Sequence, residues 1–231
     1  MNYLEDWKRI LPEETWERMM TLKEETDGMR KESTVWPRSE NVFRALEITD
    51  PSDISCVIIG QDPYHTPGVA NGLAFASGLP SYTPPSLKNI SKELMREYGK
   101  PLKDNSLSGL PGQGVLLLNV TLTVDEHKPN SHKKLGWDKV TFSIIKSAVI
   151  NNPGCTVLSW GGNAKKLSER LMKDSSFSEA VSGIVYSSHP SGLSCYRSLG
   201  EYPAFNESDC FLKVNRLLKE AGKKEIDWFK S

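Results

Sequence analysis

The feature that most constrains the fold is a set of four short apolar runs in which polar residues do not alternate. In chain order they are ISCVIIG (54–60), GVLLLN (114–119), CTVLSW (155–160) and GIVYSS (183–188). Unbroken runs of this length, rich in β-branched residues, are typical of strands that are covered on both faces. Each run therefore predicts a buried strand of a parallel sheet.

Segments with helical periodicity lie before, between and after these runs. They cover residues 12–25, 86–99, 136–150, 163–174 and 208–222, with Ser86 predicted as an N-cap. A turn at Trp36–Pro37 is also predicted, followed by a helix with Val42, Phe43 and Leu46 facing inward. The alternation of strand and helix predicts an α/β fold, with a central four-stranded parallel sheet flanked by helices on both faces in three layers. We expect residues 1–231 to form a single domain, of which 1–50 are the mostly helical N-terminal part.

Charge and cysteine content exclude several classes of protein. Lysine plus arginine and aspartate plus glutamate each number 29, so the chain lacks the overall basic character of many nucleic-acid binders, although a local basic face remains open. The spacing of the four cysteines does not suit zinc, and the N-terminus resembles neither a signal nor a transit peptide. No run approaches the roughly 20 apolar residues of a membrane span. We expect a soluble, intracellular protein without a metal.

Polar residues follow each of the four predicted strands. The first is followed by GQDPYH (60–65), the second ends at Asn119, the third at WGG (160–162) and the fourth at SSHPS (187–191). Ligands of open α/β sheets bind outside the carboxyl ends of the strands, so these segments are expected to converge. Each of them alone could be a simple turn. Together they predict a site, but the pattern does not name its reaction.

Six short motifs carry a resemblance to a known family. They are GQDPYH (60–65), GLAF (72–75), PPSL (84–87), LLLN (116–119), SHKKLGW (131–137) and HPSGLS (189–194). In this order and with these gaps, the chain from about Trp36 to Trp228 resembles the family-1 uracil-DNA glycosylases. The resemblance implies a monofunctional DNA N-glycosylase, a hydrolase without cofactor that acts in base excision repair of DNA damage. It would flip uracil out of DNA and hydrolyse its bond to deoxyribose, leaving an abasic site and free uracil.

The resemblance also implies roles for individual residues in the reaction. Asp62 would orient the attacking water and stabilise the cationic sugar, because its charge is opposite to the one that develops. His189 would donate a hydrogen bond to uracil O2 as a neutral imidazole, which requires a lowered pKa. Backbone N–H groups near Gln61 and Asp62 would bind the same oxygen.

Three further side chains would recognise uracil in a protein of this family. The Asn119 amide offers one acceptor and one donor, which match N3–H and O4 of uracil and mismatch cytosine. The Tyr64 ring would occupy the space that the methyl group of thymine needs. Phe75 would stack on the base, although the residue pattern alone favours a core aromatic.

DNA would be held by short loops and by a wedge, again by resemblance. Leu193 would fill the gap that the flipped base leaves. The phosphates would meet hydroxyls and helix N-termini at Pro84, Pro85, Ser86, Gly161, Gly162, Ser191 and Ser194. Lys165, Lys166 and Arg197 could add local positive charge or could form a solvated face.

The chain departs from the family pattern at three places. Gly192 stands where the family has a second proline, so the wedge loop is expected to be more flexible. Gly162 stands where a serine is usual, which removes one hydroxyl. The stretch 195–210 looks longer than usual, and it could either contact DNA or be a plain surface loop.

Two other classes of function remain open at this point. One is a DNA-binding accessory protein that has kept the fold without the chemistry, and the other is a metal-dependent hydrolase that uses Asp62, His65 and His189. For the leading hypothesis we expect uracil-containing DNA, single- or double-stranded, as the partner, with no membrane and a monomeric state. We expect a cytoplasmic enzyme, or a nuclear one in a eukaryotic host.

Overall fold

Residues 2–230, which this computed structural model describes, contain six strands and eight α-helices. The strands are β1 (Val35–Trp36), β2 (Cys56–Gly60), β3 (Val115–Asn119), β4 (Val124–Asp125), β5 (Thr156–Trp160) and β6 (Gly183–Ser187). The helices are α1 (Leu4–Ile10), α2 (Glu13–Met29), α3 (Arg44–Glu47), α4 (Pro85–Tyr98), α5 (Trp137–Asn151), α6 (Gly161–Leu171), α7 (Ser175–Ala180) and α8 (Cys210–Glu220). The four predicted strands are confirmed as β2, β3, β5 and β6.

The central sheet is parallel and has the strand order β3-β2-β5-β6. Strands β2, β3 and β5 are buried along their whole length, which explains why their sequences do not alternate. A separate two-stranded antiparallel sheet joins β1 to β4. The sequence pattern did not predict this small sheet, because two-residue strands carry no periodicity.

Helices cover both faces of the central sheet, as predicted. Helix α8 packs on β5 and β6 and contacts α4, whereas α6 packs on the same strands and contacts α5. Helix α5 also carries α2 and α7. Side chains of the N-terminal helices, including Trp7, Met19 and Leu22, are fully buried in the same hydrophobic core as the strands. No helix within residues 2–230 is both long and apolar enough to span a membrane.

Two local details differ from the sequence-based expectation. Helix α4 begins at Pro85 with Pro84 in the N-cap position, so Ser86 is not the N-cap but the second helical residue. Proline suits this first turn because its φ is already helical and its missing N–H needs no partner. The helix predicted after Trp36–Pro37 shortens to a 3₁₀ turn at Ser39–Asn41 and the four-residue α3.

The register of the strands brings their carboxyl ends to one edge of the sheet. Gly60 of β2 lies opposite Asn119 of β3, and Trp160 of β5 lies opposite Ser187 of β6. Strand β2 has β3 on one side and β5 on the other. After β2, the chain first adds β3 on one side of it and later adds β5 on the other side. A crevice forms where the strand order reverses in this way, and the segment 60–65 begins there.

Candidate active site

A cavity of about 500 Å³ opens at this edge of the sheet. Most of the predicted site residues line it, namely Gln61, Asp62, Tyr64, Phe75, Ser86, Asn119, Gly161, Gly162, His189, Ser191 and Ser194. Pro84, Pro85 and Leu193 are not among the lining residues. The carboxylate after β2 and the imidazole after β6 thus face one common space, although they are far apart in the chain.

The Asp62 carboxylate is held in place by the segment that precedes α5. Its Oδ2 accepts a hydrogen bond from the backbone N–H of Asn130 at 2.9 Å. Its Oδ1 accepts a longer one from Gln61 Nε2 at 3.3 Å. Pro63, which is buried, follows directly and restricts the backbone beside the acid. The carboxylate therefore has a defined orientation in the wall of the cavity.

Three side-chain amides form a chain of hydrogen bonds beside the cavity, and two of them, Gln61 and Asn163, line it. Asn163 Nδ2 donates to Gln61 Oε1 at 2.6 Å, and Gln61 Nε2 donates to Asn130 Oδ1 at 3.0 Å. We call this arrangement of Asn130, Gln61 and Asn163 the amide bridge. Sequence reasoning missed Asn130 and Asn163. Their position directly beside the SHKKLGW and WGG motifs was the only available signal.

The His189 imidazole is oriented by its own loop. The backbone N–H of Ser191 donates to His189 Nδ1 at 3.0 Å, so Nδ1 carries no proton and the neutral ring keeps its proton on Nε2. Burial lowers the pKa of His189 to about 4, because a charged ring would lose its hydration. The side chain is therefore a neutral hydrogen-bond donor at physiological pH.

A glycine allows this histidine to approach the end of β5. Gly161 has φ +85°, and a Cβ there would lie 2.9 Å from the Cβ of His189. Asn89 of α4 fixes the other side of the loop by donating to the carbonyl oxygen of Pro190 at 2.8 Å. The histidine loop is thus held between two helices.

The Asn119 side chain lines the cavity and is buried, with 8% of its surface exposed. Within residues 2–230 its amide group makes no hydrogen bond to the protein, unlike the buried amides of Asn89 and Asn152. Its close neighbour in the sheet is Gly60, where a Cβ would lie only 2.0 Å from Asn119 Oδ1. Glycine at position 60 is therefore required for this placement, and the free amide is available to a ligand.

Phe75 and Tyr64 form the aromatic wall of the cavity. The Phe75 ring lies edge-on to Trp160 at 5.2 Å and 5.7 Å from the His189 ring. Its backbone has φ +67°, a conformation that bulky residues adopt only where the surroundings enforce it and that is concentrated at functional sites. The Tyr64 hydroxyl donates to the Phe75 carbonyl at 3.2 Å, and burial raises the pKa of Tyr64. The two rings are thus fixed relative to each other.

Five of the predicted DNA-contacting residues line the cavity, namely Ser86, Gly161, Gly162, Ser191 and Ser194. Ser86 at the start of α4 is buried at the cavity wall, while the adjacent Pro85 is exposed. Leu193 is 79% exposed, more than any other large apolar side chain within residues 2–230. If a binding partner covers this aliphatic side chain, its apolar surface is removed from water, which favours binding.

The long segment after Leu193 packs against the sheet and supports the histidine loop. Buried Ser188 donates from its hydroxyl to the Ser194 carbonyl at 2.8 Å and accepts from the Phe205 N–H at 2.9 Å. The Tyr202 ring lies 4.6 Å from that of Tyr186 on β6. These contacts hold the segment that contains Gly192 from both ends.

His132 and His65 have different surroundings. His132 is buried, with its ring nitrogens 2.8 Å from Thr123 Oγ1 and 3.2 Å from Asp125 Oδ1. His65 lines the cavity itself, and its carbonyl accepts from the His127 N–H. In the described part of the chain, no three His, Cys, Asp or Glu side chains are grouped so that they could hold a metal ion.

Comparison with known proteins points to one family. The model of the uracil DNA glycosylase superfamily matches residues 47–219. The uracil-DNA glycosylase of Fusobacterium nucleatum is 40% identical over 225 residues, which are 96% of this chain and 94% of that protein. The human uracil-DNA glycosylase is 41% identical over 202 residues, which are 86% of this chain and 60% of that protein. The crystal structure of a mimivirus uracil-DNA glycosylase has a TM-score of 0.80 at 27% identity, covering 96% of this chain and 88% of that one.

Proposed function

Because the chain belongs to the uracil-DNA glycosylase superfamily, we propose a specific division of roles among the side chains of its cavity. The activity itself is that of a uracil-DNA glycosylase, a monofunctional enzyme of base excision repair. It hydrolyses the N-glycosidic bond between uracil and deoxyribose in DNA, and it leaves an abasic site and free uracil. The residue assignments that follow are consistent with that reaction.

Asp62 and His189 act on the two charges that develop as the bond breaks. The deoxyribose becomes cationic, and the Asp62 carboxylate stabilises it and orients the attacking water. The departing uracil becomes anionic, and the Nε2–H of neutral His189 donates to its O2. The hydrogen bond from the Ser191 N–H to Nδ1 supports this assignment, because it leaves the proton on Nε2, the ring nitrogen that is not bonded to its own loop. Backbone N–H groups at Gln61 and Asp62 complete the set of donors.

Asn119, Tyr64 and Phe75 select the base. The free amide of Asn119 pairs with N3–H and O4 of uracil, whereas cytosine would leave buried groups unpaired at a cost of about 1–3 kcal/mol each. Tyr64 excludes thymine because its ring, tied to the Phe75 carbonyl, cannot move away from the C5 methyl group. Phe75 stacks on uracil, a contact worth about 1–3 kcal/mol.

The loops around the cavity mouth hold the DNA. Leu193 inserts where the base has left the duplex, and its exposure in the free protein supports this role. The phosphates are bound by hydroxyls and backbone N–H groups at Ser86, Gly161, Gly162, Ser191 and Ser194. Pro84 and Pro85, which have no N–H to donate, fix the loop that presents Ser86 at the start of α4. A protein with no net charge can bind DNA in this way because the donors are local dipoles.

One observation carries these assignments: the carboxylate of Asp62, the unpaired amide of Asn119 and the neutral imidazole of His189 line one cavity. The test is release of uracil from a uracil-containing single-stranded oligonucleotide in the presence of a chelator, followed by alkali to cleave abasic sites. Strand cleavage is expected with the wild type and not with Asp62→Asn. Equal cleavage by the two proteins would refute the role of Asp62, and cleavage abolished by the chelator would refute catalysis without a metal.

The state and place in which the enzyme acts belong to the same proposal. We propose a monomer that accepts uracil in single- or double-stranded DNA, since one chain supplies every residue of the cavity. We further propose the cytoplasm, or the nucleus of a eukaryotic host, because all four cysteines are free and buried, as expected of a reducing compartment. Sedimentation of the active protein as a dimer, or equal activity in an exported fraction, would contradict these points.

A further inference from the structure

A second cavity, of about 340 Å³, lies directly behind one wall of the catalytic cavity. Gln61 and Asn163 line both cavities, and Asn130 lines the second. The amide bridge therefore separates the two spaces by the thickness of one side chain. The two cavities are therefore close enough to hold neighbouring parts of one ligand.

The ionisable side chains of this second cavity are mostly cationic. They are Lys133, Lys166 and Arg170, opposed only by Asp138. Across residues 2–230, neither lysine has a carboxylate within ion-pair distance, and the Arg170 guanidinium lies 4.1 Å from the centre of the Phe142 ring. In a chain with no net charge, three cations faced by one carboxylate favour an anionic ligand.

The neighbouring Lys165 shows that this charge is not a general property of α6. Its ammonium lies 3.5 Å from Glu169 and 4.9 Å from the centre of the Tyr202 ring, away from the second cavity. Adjacent lysines on one helix thus have different environments. Lys165 is partnered, whereas Lys166 faces the cavity without a partner.

We propose that the second cavity binds one phosphorylated nucleotide of the substrate strand, next to the uracil nucleotide. Lys133, Lys166 and Arg170 contact the phosphate, while the Thr121 hydroxyl and the Asn130 amide offer hydrogen bonds to the base or sugar. The volume lies within the usual range for a small-ligand site. This inference rests on the proposed function, because it takes uracil-containing DNA as the ligand and extends its contacts by one nucleotide.

The test compares K133Q/K166Q with the matched control K165Q on single-stranded uracil oligonucleotides. One series is shortened nucleotide by nucleotide from the 5′ end and another from the 3′ end. With the longest substrate, we expect kcat/KM of the double variant to fall about tenfold, as for loss of a charge-assisted hydrogen bond, and K165Q to match the wild type. The deficit should disappear on shortening from one end only. The slope of log Kd against log salt should decrease by about 0.7, the value for one phosphate of a single strand.

Three results would overturn the proposal. One is a double variant that equals the wild type on every substrate, and another is an equal loss in K165Q. The third is a deficit that persists on all shortened substrates, which would indicate a general electrostatic effect. Matching thermal unfolding curves exclude loss of folding as the cause. The wild type serves as a separate check, since its failure to release uracil would refute the function rather than the second cavity.

Discussion

His189 should remain neutral well below physiological pH, because burial lowers its pKa from an ordinary value of 6.5 to about 4. At pH 5.5 a group with a pKa of about 4 is roughly 97% neutral, whereas an ordinary histidine is roughly 9% neutral. Lowering the pH from 7.5 to 5.5 should therefore reduce the contribution of His189 to catalysis by only a few per cent. Over the same range, the neutral fraction of an ordinary histidine would fall about tenfold.

The direct measurement is a histidine NMR titration with an activity profile beside it. The chain has four histidines, and the resonance that disappears in His189→Gln identifies the relevant one. Its midpoint should lie near 4, and its tautomer should carry the proton on Nε2, as the hydrogen bond from the Ser191 N–H requires. A midpoint between 6 and 7, or a proton on Nδ1, would refute the argument that burial and the Ser191 contact set the state of this ring.

The same shift has a consequence for stability. Between pH 4 and 6.5 the unfolded chain binds a proton at this residue that the folded chain does not, so stability rises with pH across this window. Lowering the pH through the window should remove about 3 kcal/mol of unfolding free energy, and His189→Gln should lose this dependence. Urea unfolding of both proteins at several pH values measures it. An identical pH dependence of the two proteins would contradict the shift.

Four substitutions test other parts of the site. Asp62→Asn should reduce turnover at least about 100-fold while gel-shift affinity for DNA changes little, and equal loss of both would disprove its catalytic role. Asn119→Asp should release some cytosine from DNA, since a protonated carboxyl can reverse the donor and acceptor pattern; unchanged selectivity would mean that Asn119 does not read the base. Gly60→Ala should cost about 100-fold in rate, because its Cβ would lie 2.0 Å from Asn119 Oδ1, whereas Gly28→Ala, with nothing within 4 Å, should keep full activity. Ser188→Ala should lower the unfolding free energy by about 1–3 kcal/mol in urea, because it leaves the Phe205 N–H without its acceptor, and an unchanged midpoint would show that the long segment does not depend on this contact.

Local chemistry was sufficient to predict the strands, whereas the family was identified by the resemblance of six motifs to those of a known family. The runs that became β2, β3 and β5 are buried throughout, and a strand covered on both faces must be apolar at every position. Roles could be assigned to the motif residues because GQDPYH and HPSGLS are specific combinations of residue types that resemble those of the family. Where local signals were weak, prediction was wrong or silent: Ser86 is not the N-cap of α4, and β1 and β4 were missed.

The arrangement around the cavity depends on contacts between distant parts of the chain, which no local pattern encodes. Asn130 became visible as the support of Asp62, and Asn163 as the partner of Gln61, only after β2 and β5 were placed side by side. Likewise, only the folded chain shows that Lys165 pairs with Glu169 whereas Lys166 lines the second cavity. Sequence determines which segments must be buried and which residue types are present, because burial and backbone preference act over a few residues. Which polar groups share a space is decided by packing, because the strand order and the close approach at Gly60 arise only in the folded chain.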